Sequence, residues 1–180
     1  MTVRRSAGIL LFRRARVLGA DEVEVLLAHP GGPFFAKRDE GFWSIPKGEP
    51  DAGESDLLAV ARREFAEEVG SEAPDGAEPL ELGTITQKGG KVVHAWAIEG
   101  DLDPTASVSN TFEMEWPPRS GQRRVFPEID RVAWFGPDDA RRRLKSTQTP
   151  FVDRLIARIG APPPPIDDEI AVVAPKPDGA

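Results

Sequence analysis

Apolar residues fall into short runs separated by glycine, proline and charge, and the runs follow two different periods. Residues 6–14 (S-A-G-I-L-L-F-R-R) and 23–28 (V-E-V-L-L-A) are apolar and rich in branched side chains, which predicts two strands with a loop over residues 15–22. H-P-G-G-P at 29–33 breaks the second strand. Residues 34–41 read as a loop. Residues 41–46 (G-F-W-S-I-P) read as a short extended segment, because Pro46 biases Ile45 away from helix. The period then lengthens. Leu57, Leu58, Ala61, Phe65 and Val69 recur at helical spacing, predicting a helix over residues 55–69. Ser55 or Asp56 is its N-cap and Gly70 its stop. Strand patterns return at 80–87 and 91–99, with K-G-G-K at 88–91 as a hairpin signal, and again at 111–116 and 131–135. Gly136-Pro137 opens a helix to residue 144, and residues 150–159 give a terminal one. Strands interleaved with a few helices indicate an α/β domain with a mixed sheet over residues 1–160. Beyond it the chain is acidic and Pro-rich, with four prolines at 162–165, so residues 161–180 are expected to be a disordered tail.

Composition narrows the function. A length of 180 residues supports one domain with a substantial core. The formal net charge of −7 argues against an extended nucleic-acid footprint. With no cysteine there are no disulfides, thiolate metal sites or cysteine nucleophile, which is compatible with a reducing cytoplasm. The apolar run at 7–12 is too short for a signal peptide's core or a membrane span. The expectation is a cytoplasmic protein without a membrane segment; the sequence leaves its oligomeric state open.

The predicted helix carries the chemistry. Glu64, Glu67 and Glu68 lie at i, i+3 and i+4, so they project from neighbouring positions on one side. Like charges so spaced weaken a helix by a few tenths of a kcal/mol per pair, roughly. The same helix has its apolar stripe on another side, free to pack on a sheet. A carboxylate cluster beside a Gly-rich loop suits hard divalent cations, which take oxygen ligands and arrive with phosphates.

Gly48, then Glu54, then R-E-F-A-E-E-V-G at 63–70, resembles the Nudix hydrolase signature G-x5-E-x7-R-E-U-x-E-E-x-G-U, where U is bulky and aliphatic. W-S-I-P-K-G at 43–48 resembles the usual lead-in. There are departures. Eight residues separate Glu54 from Arg63 where the family has seven, Ser71 stands at an aliphatic position, and Phe65 is aromatic. Either the extra residue sits near Ser55-Asp56 and Arg63 keeps the family's arginine role, or Arg62 takes that role.

The resemblance implies a Nudix-like α/β/α sandwich and a hydrolase that cleaves a pyrophosphate linkage in a nucleoside diphosphate derivative. Mg²⁺ is the expected cofactor, with Mn²⁺ as the alternative, and the partner is a small nucleotide substrate. Glu64 and Glu68 match the principal metal-ligand positions, with Glu67 beside them and the Gly48 carbonyl as a further ligand. Glu54 and Arg63 match a structural ion pair. A base or outlying metal ligand is expected from a late loop. Glu128 is chosen because its spacing to Trp134 resembles the E-x5-W arrangement of dinucleoside polyphosphate hydrolases; Glu113 and Glu115 are rivals. Lys47, Lys88, Lys91 and His94 are candidates to touch substrate, His29 to line the cleft and Trp116 to stack on a base. A triphosphatase and a non-catalytic nucleotide-sensing or protein-binding module are the alternative functions.

Overall fold

The computed structural model of the chain describes residues 4–17, 20–76 and 78–160. The central strand, β1 (Arg5–Val17), has an unbroken apolar stretch because both of its faces are covered. Ala7, Ile9 and Leu11 point one way, into a cluster with Val60, Ala61, Phe65 and Val69 of helix α1 (Leu57–Val69). Leu10 and Phe12 point the other way, against Ala140 of α2 (Pro137–Arg143) and Phe151, Val152 and Leu155 of α3 (Thr149–Ile159). The result is an α/β/α sandwich.

The sheet is mixed. On one edge β1 runs parallel to β5 (Val92–Glu99), which continues antiparallel to β4 (Leu80–Thr86). The other edge of β1 is divided. Its distal half pairs with β2 (Ala20–Pro30), from Phe12↔Val25 outward, whereas Ala7 and Gly8 pair with the two-residue β3 (Lys47–Gly48). Beyond β2 lies β8 (Ile129–Phe135). β6 (Thr111–Glu115) and β7 (Arg123–Pro127) form a separate two-stranded ribbon.

Several predicted elements are corrected. The loop expected at 15–22 is largely strand: pairing continues through Ala15↔Glu22 to Val17↔Ala20. Arg13 lies directly opposite Glu24 and bonds it at 2.8 Å, the kind of cross-strand pair that carries a polar hairpin into solvent. Within 41–46 only isolated bridges form, Ala28↔Ser44 and Trp43↔Leu144. Pro46 cannot donate, but its carbonyl accepts from the Ile9 amide at 3.1 Å, and the ladder proper starts at Lys47. Strand β7 escaped the sequence reading because R-R-V-F-P has no alternation of its own; Phe126 finds Phe112 only once the ribbon is in register. The tail expected at 161–180 lies outside the described residues.

Helix α1 begins where its cap dictates. Asp56 accepts from the amides of Leu58 and Ala59 at 3.0 and 3.2 Å, making it the N-cap. At the other end Gly70 takes φ 82°, and a side chain there would meet the Val108 carbonyl. Segment 107–110 satisfies carbonyls of that last turn: the Ser107 hydroxyl donates to Val69 (2.6 Å) and the Asn110 amide to Glu67 (2.9 Å).

Candidate active site

Close packing of α1 on β3 creates the centre of the site. The Glu64 carboxylate lies directly on Gly48: a Cβ at that position would fall 1.8 Å from Oε2. Any side chain at 48 would displace that carboxylate. One turn on, Glu68 Oε2 accepts the Lys47 amide at 3.0 Å. Two adjacent backbone positions of one short strand thus seat two carboxylates of one helix.

Arg63 ties the preceding loop to the helix. Its guanidinium meets Glu54 with two bonds, Nε to Oε1 at 3.1 Å and Nη2 to Oε2 at 2.9 Å. It also donates to the Glu49 carbonyl (3.2 Å), Glu64 (2.9 Å) and Glu67 (3.2 Å). Arg62 points elsewhere, to Asp75 at 3.2 Å. The geometry therefore selects Arg63, not Arg62, as the partner of Glu54. Glu54 is itself seated by the preceding turn, where its Oε2 accepts the Asp51 amide at 2.7 Å, so the pair closes despite the extra residue between Glu54 and Arg63.

Burial charges this arrangement with electrostatic tension. Desolvation pushes the Glu68 carboxyl up to about 7 against the pull of Lys47, with Glu64 and Glu128 repelling it further. Glu64 is also raised, chiefly by burial, although Arg63 opposes the shift. The Glu54 carboxyl is held below its ordinary value by Arg63, and burial lowers Lys47. Among the described residues no three His, Asp or Glu side chains stand in the geometry of a metal cage. The oxygen donors present, two partly buried carboxylates crowded by a third and pressed on the backbone at Gly48, fit a hard divalent cation.

A NUDIX domain family model matches residues 2–155. The chain belongs to the NUDIX domain family. It is a Nudix-type pyrophosphohydrolase. Solved structures share the Nudix fold at low identity. An Ap4A hydrolase from C. elegans, in a binary complex, is 19% identical with a TM-score of 0.58, covering 86% of this chain and 97% of that one. A mutT/nudix family protein from Listeria innocua is 16% identical (TM-score 0.57; 87% and 93% covered). The NUDIX domain of Shewanella oneidensis NrtR, complexed with ADP ribose, is 15% identical (TM-score 0.57; 89% and 90% covered). No curated protein matches the chain. Among the described residues no helix is long and apolar enough to cross a membrane.

The Nudix fold sorts the remaining candidates. Glu128 sits at the base of the β6–β7 ribbon. Its amide donates to the Asn110 carbonyl at 2.8 Å, and Asn110 in turn bonds the end of α1, which keeps Glu128 within electrostatic reach of Glu64 and Glu68. Glu113 and Glu115 face away along the ribbon, the first paired with Arg123, the second accepting the Gly121 amide at 2.8 Å. Lys91 bonds Glu49 at 2.8 Å, and with Arg4 it depresses that carboxyl to about 2. Lys88 stands exposed on the hairpin turn. His94 lies on β5 over Trp96, at 6.5 Å between ring centroids, on the strand face toward α1. His29, expected to line the cleft, is fully buried: its ring bonds Asp130 and the Arg38 carbonyl, both at 2.7 Å, and braces the loop after β2. Trp116 meets exposed Phe34 edge-on at 5.3 Å. Asn110, which links α1 to Glu128 through its backbone, was missed by sequence reasoning, having no motif to mark it.

Proposed function

We propose that this Nudix hydrolase cleaves a phosphoanhydride of a dinucleoside polyphosphate, with Mg²⁺ as its cofactor and Mn²⁺ as a substitute. The observation that carries the reading is the seating of Glu64 on Gly48 and Glu68 on the Lys47 amide, with Glu128 within electrostatic reach of both. Glu64, Glu68 and the Gly48 carbonyl would hold the metal, with Glu67 beside them and Glu128 as outlying ligand or base. When bound, the cation neutralises phosphate charge and makes water a better nucleophile near neutral pH. The chain supplies the rest. Glu128 accepts the proton of the attacking water, and Arg63, held by Glu54, keeps Glu64 and Glu67 in place. Lys88, exposed on the hairpin turn, attracts the anionic substrate toward the carboxylates.

The choice of a dinucleoside polyphosphate rests on the spacing of Glu128 to Trp134 and on analogy with the Ap4A hydrolase, whose likeness is one of fold. An extra residue in the motif would favour a non-catalytic sensor if it opened the Glu54–Arg63 pair, and that pair is closed. Purified full-length protein with Mg²⁺ tests the reading against dinucleoside polyphosphates, nucleotide sugars and nucleoside triphosphates. Fastest turnover is expected on the first class, and Glu68→Gln should lower it by orders of magnitude with the fold intact. Preference for triphosphates would redirect the substrate class. No turnover on the whole panel would sink the catalytic reading.

A further inference from the structure

A cavity of about 320 Å³ opens between the β4–β5 turn and the short helical turn that precedes α3. It is lined by Gln87 and Lys88 on one side, Lys145, Ser146 and Thr147 on the other, and Gly41. Its volume is at the small end of ligand sites, roughly 300 to 1,000 Å³, and its wall contains no aromatic or aliphatic anchor for a base. Among the described residues, none of the five polar side chains in that wall makes a side-chain hydrogen bond or ion pair. Five donor-bearing residues therefore line one cavity with no side-chain partner among the described residues.

Charge gives the cavity its sign. The chain contains six lysines against seventeen arginines, yet Lys47, Lys88, Lys91 and Lys145 all gather at this end. Lys145 feels Lys91 as a repulsion and Glu68 as an attraction, and Lys47 feels both lysines. The cavity therefore lies within electrostatic reach of the carboxylate centre through Lys145. Lys91 is already neutralised by Glu49 and Lys47 faces Glu68, whereas Lys145 is half-buried and makes no ion pair among the described residues. Ammonium groups with adjacent hydroxyls and an amide are a phosphate-binding set, Lys acting as a point charge.

We infer that this cavity is a phosphoryl subsite: Lys145 and Lys88, with Ser146, Thr147 and Gln87, bind a phosphate of the substrate's polyphosphate chain beyond the scissile linkage. The inference rests on the proposed polyphosphate reading for the identity of the ligand, but the anion site stands on the cavity alone. It predicts that Lys145 discriminates by chain length, since a two-phosphate substrate engaged at the carboxylates has no further phosphate to place there.

Two measurements test it. Calorimetry of inorganic pyrophosphate into metal-stripped, full-length protein should detect binding that Lys145→Met weakens about tenfold or more, the loss of one charge-assisted contact. Thr147→Asp, a conservative change in volume that puts a carboxylate on the rim, should abolish it, and Glu64→Gln should leave it intact. In kinetics with Mg²⁺, Lys145→Met should raise KM for a dinucleoside tetraphosphate about tenfold with little change in kcat, and leave KM for a nucleotide sugar unchanged. Pyrophosphate that fails to bind the wild type, or binds both cavity variants as tightly, would overturn the subsite. Binding lost in both variants in a protein that hydrolyses nothing would uphold the anion site and sink the catalytic reading instead.

Discussion

The carboxylate of Glu64 rests on the α-carbon of Gly48, so close that the smallest side chain at 48 would sit inside it. Gly48→Ala must therefore push the Glu64 carboxylate off the centre. The displaced atoms are the end of a flexible side chain, so the fold itself should be little disturbed. The expected outcome is a folded protein, by circular dichroism and urea melt, with kcat/KM on the preferred substrate reduced by about a hundredfold, the effect of an ångström-scale misplacement.

Neighbouring arginines separate a positioning role from a surface one. Arg63→Ala leaves Glu54, Glu64 and Glu67 without their shared partner, whereas Arg62→Ala removes one exposed contact to Asp75. Activity should fall at least tenfold in the first. The second should keep full activity and a stability within about 0.5 kcal/mol of wild type. Equal effects would mean that the hub around Arg63 does not position the site.

The rival acids divide in the same way. If Glu128 serves as the base, Glu128→Gln should lower kcat by roughly 10² to 10⁴, while Glu113→Gln, which only releases Arg123 on the ribbon, should leave it near wild type. Steady-state rates of the two purified variants decide.

Acid stability has a local contributor at Asp39. Its carboxylate accepts from Trp43 Nε1 and from Arg143, both at 2.6 Å, and these bonds hold it below its ordinary value of 3.8. A depressed carboxyl stabilises the fold above its unfolded value and loses that contribution as pH falls through its lowered folded value. Asp39→Asn should therefore flatten part of the stability loss below about pH 4, measured by urea melts at stepped pH. An unaltered profile would show that the pair contributes nothing net, as exposed ion pairs often do.

Much of the fold was readable along the chain because its signals are local. The double-faced apolar run of β1, the stripe of α1, its cap at Ser55 or Asp56 and its Gly70 stop all depend on residues within a turn or a strand of one another, and the structure settled the cap on Asp56. The same holds for the motif: Gly48, Glu54, Arg63, Glu64 and Glu68 lie on one loop and one helix, so their meeting follows from helical spacing and one short connection. The strand at Arg123–Pro127 was invisible for the opposite reason, since its partner and its register exist only in the folded ribbon.

By itself the sequence determined an α/β domain with a mixed sheet, the acidic helix and the glycine loop, through periodicity and turn chemistry acting over a few residues, while the sandwich was implied by the motif's resemblance. Tertiary structure decided the rest. It chose Arg63 over Arg62, drew Glu128 to the carboxylates through Asn110, buried His29, and brought Lys145 to face Lys88 across a cavity. Those choices join residues far apart in the chain, and no local pattern encodes a contact whose two halves are ordered by the packing of separate layers.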